Sequence, residues 1–550
     1  MNPMKNGLAA RATARRFAML VLAALSLLPE ARAADSPPAA AAPTLVDVKR
    51  WAVEGNTLLP TAEIDQSLAG YTGPATLERL RSAAATVQTL YRRAGYGGVV
   101  AFLPEQDLKD GRVLIRVVEG RLARVDIADN KQYSTENIRA SLPSLTPGVT
   151  PNVRRIDAEI QLANENPSKT VQVLLQPGET PGAIVAAVTV QEQPVQHITA
   201  RVDNTGGASI GRWRAALGWQ HANLAGRDQV LAAEVQTAPQ DPSAVRVFSS
   251  SYRMPLYGSA MAFDAYGAWS NVDAGKVGTA AGDLAFSGKG SIVGLRLSNY
   301  LPRYSNVDQR LLTGFEARTY RNTCTIDGLP QDACGAAGAS VAVQPVSLTY
   351  TAQAAGEVRW GFSIGLHHNL GSGGAHARAE DFEAVRQGSK RRYTLLRSST
   401  QVALPLGEWA SFAARLNAQA SSQPLVPGEM FGAGGAASVR GFEERELSGD
   451  SGATLSLELQ GRNLAGDGST TPHGADIRLL TFADAGYVQN ELGAPCLAGR
   501  SHCRMGSLGI GLRANWPSLT LRLDIARAMS TASTTAKGDA RAHAGLTYTF

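Results

Sequence analysis

From residue 194 to the end of the chain, short segments in which apolar and polar residues alternate follow one another. One such segment places leucine at 455, 457 and 459 against Ser456, Glu458 and Gln460, and residues 519–526 repeat the pattern. Side chains two residues apart share a face of a strand, so each segment has one apolar and one polar face. Segments of about ten residues with charges on the polar face are typical of a transmembrane β-barrel with lipid outside and water inside. The pattern therefore predicts a closed antiparallel barrel of about sixteen strands over residues 194–550.

The composition favours sheet and argues against several other classes of protein. Hydrophobic residues make up 44% of the 550-residue chain, yet no run reaches the roughly 18 apolar residues of a membrane-spanning helix. Glycine is abundant at 56 residues, and charged residues are only 18%. A net charge of +6 spread over this length indicates ordinary surface, and we expect no nucleic-acid partner.

The N-terminus has the features of an export signal. Basic residues precede an apolar stretch at 17–28, and Ala31-Arg32-Ala33 then provides a small-x-small cleavage site. Arg15-Arg16 also fits a twin-arginine signal, but a barrel that crosses the inner membrane unfolded favours the general secretory route. We expect residues 1–33 to be a signal peptide and residues 34–45 to be a short linker.

Residues 46–193 have a different pattern, which occurs twice. Each unit, 46–119 and 120–193, reads as strand, two helices and two further strands, with helices expected at 61–68 and 77–93 in the first. Neither unit has a catalytic constellation. A small sheet of this kind leaves edges that can accept an extended peptide by strand addition, so we interpret the units as binding modules. The alternative is that they are only spacers.

The four cysteines fit an oxidising compartment. They form two local pairs in stretches that read as loops, Cys324 with Cys334 and Cys496 with Cys503. A zinc site is the alternative, but His502 is isolated and no cluster has ligand spacing, so we expect disulfides and no metal.

A loop at residues 423–450 is rich in glycine and alanine, and one of its arginines, Arg440, is set among small residues in Val439-Arg440-Gly441-Phe442. A carboxylate follows further along the chain in Phe482-Ala483-Asp484-Ala485-Gly486. Asp484 is expected to face the lumen, because a carboxylate facing lipid is costly. The two motifs predict a buried Arg440–Asp484 pair that holds the loop inside the barrel. The alternative is that Arg440 is an ordinary surface residue.

The last segment ends the chain with alternating apolar residues and a terminal aromatic, Tyr548 and Phe550 among them. In an exported barrel, such a strand is the one presented to the barrel-assembly machinery.

Together these motifs resemble those of the two-partner secretion outer-membrane transporters of the TpsB type (haemolysin and filamentous-haemagglutinin transporters), in the superfamily of POTRA-domain barrels. The resemblance covers essentially the whole mature chain. The residues that carry it are Val53-Glu54-Gly55-Asn56-Thr57, Gly95-Tyr96, Val117-Val118-Glu119-Gly120, Asp203-Asn204, Val439-Arg440-Gly441-Phe442 and Phe482-x-Asp484-x-Gly486.

The resemblance implies two periplasmic α+β POTRA domains followed by an antiparallel transmembrane β-barrel that is 16-stranded in this family. It places the barrel in the outer membrane of a Gram-negative cell, with Arg440 and Asp484 as the lock of the sixth extracellular loop. It implies secretion of an exoprotein that carries an N-terminal secretion domain of the TpsA type. Some members also carry an N-terminal helix that plugs the pore. Residues 34–45 are too few for that helix and its linker, so we expect the loop to be the main gate.

Three other functions compete with this hypothesis. An insertase of the same superfamily usually has more POTRA domains than the two expected here. An enzyme is disfavoured because the eight histidines form no Ser-His-Asp arrangement, and no nucleotide-binding or cofactor motif is evident. A passive porin would not need the two N-terminal units.

Overall fold

The computed structural model describes residues 45–550 apart from 109, 208–210, 244, 272–274, 278–283, 287–288, 322–338 and 467–473. The expected signal peptide, nearly all of the linker at 34–45, and the pair Cys324 and Cys334 lie outside the described residues. Within the described ranges, no helix is both long and apolar enough to cross a membrane.

The first unit is an α+β fold built on a three-stranded sheet. Its elements are β1 (Val46–Val48), β2 (Arg50–Glu54), α1 (Thr61–Leu68), β3 (Gly73–Ala75), α2 (Leu77–Arg93), β4 (Val99–Phe102) and β5 (Arg112–Glu119). Helix α2 begins where the Thr76 hydroxyl accepts a hydrogen bond from the Arg79 amide, which satisfies one of the free amides of the first turn. Its apolar face, including Val87 and Tyr91, is buried in a core shared with Ile115. Strand β5 lies at the centre of the sheet, so β2 and β4 are its edges.

The second unit repeats this order of elements. Its elements are β6 (Arg121–Ala128), α3 (Thr135–Ser141), α4 (Val153–Ala163), β7 (Lys169–Pro177) and β8 (Ala183–Glu192). Strand β8 is central, parallel to β6 and antiparallel to β7. The Asn152 side chain caps α4 by accepting from the Arg154 amide, and it also donates to the Ala94 carbonyl of the first unit. That asparagine therefore joins the two units.

A glutamate at the end of the last strand closes each unit. The Glu119 carboxylate accepts hydrogen bonds from the Thr57 amide (2.7 Å), the Leu58 amide (2.9 Å) and the Tyr91 hydroxyl (2.9 Å). Burial acts to raise the pKa of Glu119, but these hydrogen bonds outweigh it and hold the pKa below its ordinary value. In the second unit, Glu192 accepts from three consecutive backbone amides, those of Lys131, Gln132 and Tyr133. The two units therefore share this contact as well as the order of their elements: in each, a glutamate at the end of the last strand accepts hydrogen bonds from backbone amides near the start of the unit.

The remainder of the chain forms a closed antiparallel barrel. Among the described residues it has sixteen strands. The segments Val341–Val343 and Pro345–Ala354, on either side of Gln344, are counted as one strand because both pair with Val307–Tyr320. The first and last strands pair through Asp203–Gly545 to Thr199–Thr549, which closes the sheet. The strands are β9 (Gln196–Asp203), β10 (Arg214–Leu224), β11 (Gln229–Thr237), β12 (Arg246–Leu256), β13 (Met261–Ser270), β14 (Gly290–Tyr304), β15 (Val307–Tyr320), β16 (Val341–Val343 and Pro345–Ala354), β17 (Arg359–Asn369), β18 (Thr394–Leu406), β19 (Ala410–Ser421), β20 (Ser451–Gly461), β21 (Asp476–Gln489), β22 (His502–Asn515), β23 (Leu519–Ala528) and β24 (Ala540–Thr549).

The two faces of the barrel wall differ as the alternation predicts. Leu455 and Ile510 on the outer face are exposed, whereas Asp484 and Asp524 on the inner face are buried. Exposed apolar side chains on the outer face fit contact with lipid, and the charged inner face fits a water-filled lumen. The barrel predicted from the alternation is thus confirmed.

The second unit is joined to one rim of the barrel by a buried ion pair. Lys169 Nζ lies 2.5 Å from Asp228 Oδ2, with both side chains at most 1% exposed. Asp228 belongs to the turn between β10 and β11, and its Oδ2 also accepts from the Tyr257 hydroxyl at 2.7 Å. Asn137 Nδ2 donates to the Gly226 carbonyl of the same turn at 2.7 Å. This rim, next to the two units, is called the near rim below.

Helix α4 of the second unit lies at the near mouth of the lumen. Leu162 is buried together with Ala262 of β13 and Tyr300 of β14. Just beyond the helix, the Glu165 carboxylate contacts Arg253 Nη1 at 3.1 Å and Arg310 Nη1 at 2.9 Å. The second unit therefore covers the part of the lumenal wall that β12–β15 form at the near end.

Candidate functional site: an arginine-bearing loop inside the barrel

The connection between β19 and β20 folds back into the lumen. A short hairpin of Phe431–Ala433 and Leu447–Gly449 forms its stem, and residues 434–446 form its tip. Positive φ angles at Gly434 (111°) and Gly435 (104°) turn the chain at the start of the tip, a conformation that glycine adopts without strain. The glycine-rich composition thus permits a compact tip that carries Arg440.

Arg440 is 2% exposed and contacts Asp484 of β21 through three hydrogen bonds. Its backbone amide and its Nε donate to Asp484 Oδ2 at 3.0 and 2.7 Å, and its Nη2 donates to Oδ1 at 2.8 Å. The guanidinium carbon lies 3.4 Å from the centre of the Phe482 ring, a cation–π contact. The two sequence motifs therefore meet at one point in the lumen.

Further barrel residues complete the surroundings of Arg440. Its Nη1 donates to Glu458 Oε1 at 2.6 Å and lies 3.5 Å from Asp524 Oδ1, and its Nη2 donates to Ser456 Oγ at 3.0 Å. Two barrel arginines reach the same carboxylates, since Arg513 Nη1 and Arg522 Nε lie 2.9 and 2.8 Å from Asp524. The resulting cluster contains three cations (Arg440, Arg513, Arg522) and three anions (Glu458, Asp484, Asp524). Buried charges are stable in a lumen when they are paired in this way.

Small residues let the loop approach the wall. Gly441 has a φ of 92°, and a Cβ there would lie 3.1 Å from the Ala526 Cβ. Its amide donates to His543 Nε2 at 3.0 Å. A Cβ at Gly486 would lie 2.8 Å from Met505 Cγ and 3.0 Å from Val439 Cγ2. Beside this contact, Val439 and Phe442 are fully buried in an apolar cluster with Met505 and Val488.

The base of the loop is held at two other places. Glu429, 1% exposed, accepts from Arg318 Nη1 at 2.8 Å and from the Tyr320 hydroxyl at 2.7 Å, both on β15. The second anchor is Asp450, which is fully buried and accepts two hydrogen bonds from Arg386, at 2.5 and 2.8 Å. Arg386 lies in the connection between β17 and β18, directly after helix α5 (Ala379–Val385). Loop 423–450 is thus anchored at its base as well as at its tip.

The other predicted site residues lie away from this cluster. Cys496 and Cys503 form a disulfide with a Cα–Cα distance of 6.2 Å, between β21 and the start of β22. Tyr548 and Phe550 are exposed on the outer face with their rings 4.6 Å apart, and the Phe550 amide donates to the Ile198 carbonyl of β9. In the described part of the chain, no group of three or more His, Cys, Asp or Glu residues is placed to hold a metal ion.

Several members of the site were not identified from the sequence. The alternation puts Glu458 on the polar face of its strand, and over 519–526 it puts Arg522 and Asp524 on the polar face of theirs, but the sequence assigns no partner to any of the three. The sequence indicates only that these residues lie on the polar face. The register of strands β20–β23 shows that they lie close to one another in the lumen. His543, Glu429 and Asp450 gave no signal in the sequence.

The first unit has an accessible sheet edge with an adjoining groove. Val100 and Phe102 of edge strand β4 are 50% and 40% exposed. A cavity of about 540 Å³ lies between α2 and β4, lined by apolar residues that include Leu80, Ala84 and Leu103. An open edge beside an apolar groove is suited to an added peptide strand.

A closed barrel with a charged loop tied inside its lumen and small α+β units at one rim defines an outer-membrane transport pore. The family model of the haemolysin secretion/activation proteins ShlB/FhaC/HecB matches residues 182–513, and that of the ShlB-type POTRA domain matches residues 46–120. The chain belongs to this family. It is a two-partner secretion transporter whose POTRA region lies in the periplasm, which makes the near rim the periplasmic one.

Individual relatives agree with this assignment. The chain is 26% identical over 482 residues to the outer membrane transporter CdiB of Escherichia coli O6:K15:H31 (strain 536 / UPEC), covering 82% of this chain and 74% of the relative. It is 24% identical over 483 residues to CdiB of Dickeya dadantii (strain 3937), covering 84% and 79%. The solved structure of CdiB from Escherichia coli has the same fold, with a TM-score of 0.75 and 19% identity over 100% of both chains. The alternative of an insertase has less support, because the matching family is one of secretion proteins.

Proposed function

We propose that the protein secretes one cognate exoprotein by binding its N-terminal, TpsA-type secretion domain in the periplasm and passing it through the lumen when loop 423–450 moves. The observation that carries the proposal is the position of Arg440, which ties the tip of the loop to the inside of the barrel wall by contacts that are all non-covalent. Such contacts can be broken and re-formed in each cycle of transport. Arg440 and Asp484 are then the lock of a gate.

We assign residues 46–119 and 120–193 to two POTRA domains and residues 194–550 to the barrel. Residues 1–33 are assigned to a signal peptide and 34–45 to a short linker. The last strand, with Tyr548 and Phe550, is the segment that the barrel-assembly machinery would receive, and the exposed apolar face would contact outer-membrane lipid. The transport requires no catalytic residue of the chain.

The exoprotein would dock on the edge of the first unit. Strand β4 offers free backbone groups to an extended segment, and the adjoining groove offers apolar contacts to its side chains. Backbone hydrogen bonds give such a complex affinity, and the groove gives it specificity.

Two variants test the docking role. Deletion of residues 46–193 should abolish secretion of the cognate exoprotein. Because deletion also removes Lys169 and α4 from the barrel rim, a point variant is needed as well. Val100→Asp places a charge on the exposed face of edge strand β4 and should reduce secretion at least about tenfold. Val149→Asp is the matched control, since Val149 is 51% exposed and Val100 50%. Secretion that survives both the deletion and Val100→Asp would refute docking on this unit.

A further inference from the structure

A cavity of about 430 Å³ opens in the lumenal wall between β15 and β20. Its polar lining residues include Asp308, Arg359, Gln401, Arg415, Ser456 and Glu458. Helix α4 and Glu165 cover the adjoining wall of β12–β15 at the periplasmic mouth. The cavity is therefore the side of the mouth that the second unit leaves open.

The two acidic residues of the cavity are already paired. Asp308 accepts from Arg303 Nε at 2.6 Å, and Glu458 accepts from Arg440 Nη1 at 2.6 Å. The guanidinium groups of Arg359 and Arg415, in contrast, are exposed and make no hydrogen bond or ion pair with any residue that the structure describes. The cavity thus presents two unpaired guanidinium groups, which bind carboxylates through paired N–H donors.

The spacing of these two arginines fits an extended polypeptide. Arg359 lies opposite Ala403 of β18, and Arg415 lies opposite Gln401 of the same strand. The two arginines lie on strands separated by β18 and are offset by two residues along the strand direction. The spacing between strands and the rise per residue then place their Cα atoms roughly 12 Å apart. Residues four apart in an extended chain are about 13 Å apart.

We propose that this cavity receives an extended acidic segment of the exported polypeptide, whose carboxylates bind Arg359 and Arg415 as the chain enters the barrel. The proposal rests on the secretion function proposed above. Glu458 lines the same cavity and contacts Arg440. A segment in the cavity therefore lies directly against the charged cluster that holds the loop.

Peptide binding to the purified full-length protein in detergent micelles tests the proposal. The probe is a labelled Gly/Ser peptide of about 20 residues with glutamate at every fourth position, and the comparison peptide has lysine instead. Arg359→Gln with Arg415→Gln should weaken binding of the glutamate peptide at least about tenfold and leave the barrel folded, because neither guanidinium is paired. The control is Arg227→Gln with Arg504→Gln, since both of these arginines are exposed and outside the cavity.

Crosslinking locates the bound peptide. Gln401→Cys places a thiol in the cavity, and Gln220→Cys places one on the lumenal face of β10. In a background that carries Cys324→Ser and Cys334→Ser, a bromoacetyl glutamate peptide should label position 401 and not 220.

Equal labelling of both positions, unchanged binding to the Arg359/Arg415 variant, or equally tight binding of the lysine peptide would overturn this inference. None of these outcomes depends on secretion in cells. Secretion that survives Val100→Asp and the deletion of residues 46–193 would instead refute the docking part of the proposed function.

Discussion

Arg440 and Asp484, 44 residues apart in the sequence, are joined by two hydrogen bonds from the guanidinium and one from the Arg440 backbone amide. The backbone bond fixes the position of the chain as well as that of the side chain. Asp484 therefore holds the tip of the loop at one point on the barrel wall. An ion pair between the two side chains alone would leave the backbone of the loop tip free to move relative to the wall.

Replacing Arg440 by alanine should release the tip of the loop. The substitution leaves Asp484 buried without a cation, at a cost of about 3–5 kcal/mol. Hydrogen exchange of residues 434–446 in the purified protein measures the effect, and we expect exchange there to rise at least about a hundredfold.

A second loop-to-barrel ion pair provides the control for this substitution. Arg541 Nη2 lies 2.5 Å from Glu443 Oε1, but both side chains are 23% exposed. Because partly exposed pairs contribute about 1 kcal/mol or less, Arg541→Ala should change exchange only slightly. Equal effects of the two variants would show that burial of Arg440 does not set the stability of the loop.

Gly441→Ala should displace the loop for steric reasons. Gly441 has a positive φ, and an added Cβ would lie 3.1 Å from the Ala526 Cβ. Gly407→Ala is the matched control, because Gly407 has a φ of 70° with nothing within 4 Å of an added Cβ. Hydrogen exchange of the loop should increase in the first variant and stay unchanged in the second, although both variants carry the roughly 1 kcal/mol backbone cost.

The sequence predicts those parts of this structure that depend on periodicity. The alternation of Leu455 to Gln460 predicts which face meets lipid, and the helical spacing over 77–93 gives the bounds of α2. The sequence also predicts the Arg440–Asp484 contact, because Asp484 lies on a polar strand face and Arg440 is set among small residues of the loop.

The contacts that escaped prediction depend on strand register. Glu458 and Asp524 reach Arg440 only because β20, β21 and β23 are staggered so that these positions lie at one height. A one-residue slip would turn either side chain to the lipid face. Glu429 and Asp450 pair with arginines on distant strands or loops, and no local pattern encodes such contacts.

The contact between the second unit and the barrel should depend on the buried ion pair of Lys169 and Asp228. Lys169→Met keeps most of the apolar stem but leaves Asp228 buried and unpaired, at about 3–5 kcal/mol. Adding Asp228→Asn removes that charge and should restore part of the loss. Hydrogen exchange in β7 and the turn at 225–228 measures both effects. A double variant less protected than the single variant would contradict the ion-pair explanation.

The first unit should lose protection in acid through Glu119. Its folded pKa is lowered, so its stabilising contribution is full above the ordinary glutamate pKa and disappears as the pH falls through the lowered value. The protection factors of the Thr57 and Leu58 amides should therefore fall between about pH 5 and pH 3. Glu119→Gln should remove most of this pH dependence, and Glu105→Gln, at an exposed position, should leave it intact.

Whether loop 423–450 must leave the barrel wall during secretion is tested most directly by a disulfide between Val439→Cys and Gly486→Cys. The ideal Cβ of residue 486 lies 3.0 Å from Val439 Cγ2, within reach of a disulfide. Secretion of the cognate exoprotein is measured under oxidising conditions and after addition of a reductant, with each single cysteine variant as control. We predict that the oxidised double variant blocks secretion, that reduction restores it, and that each single variant secretes to the same extent under the two conditions. Normal secretion with the disulfide fully formed would contradict the gate.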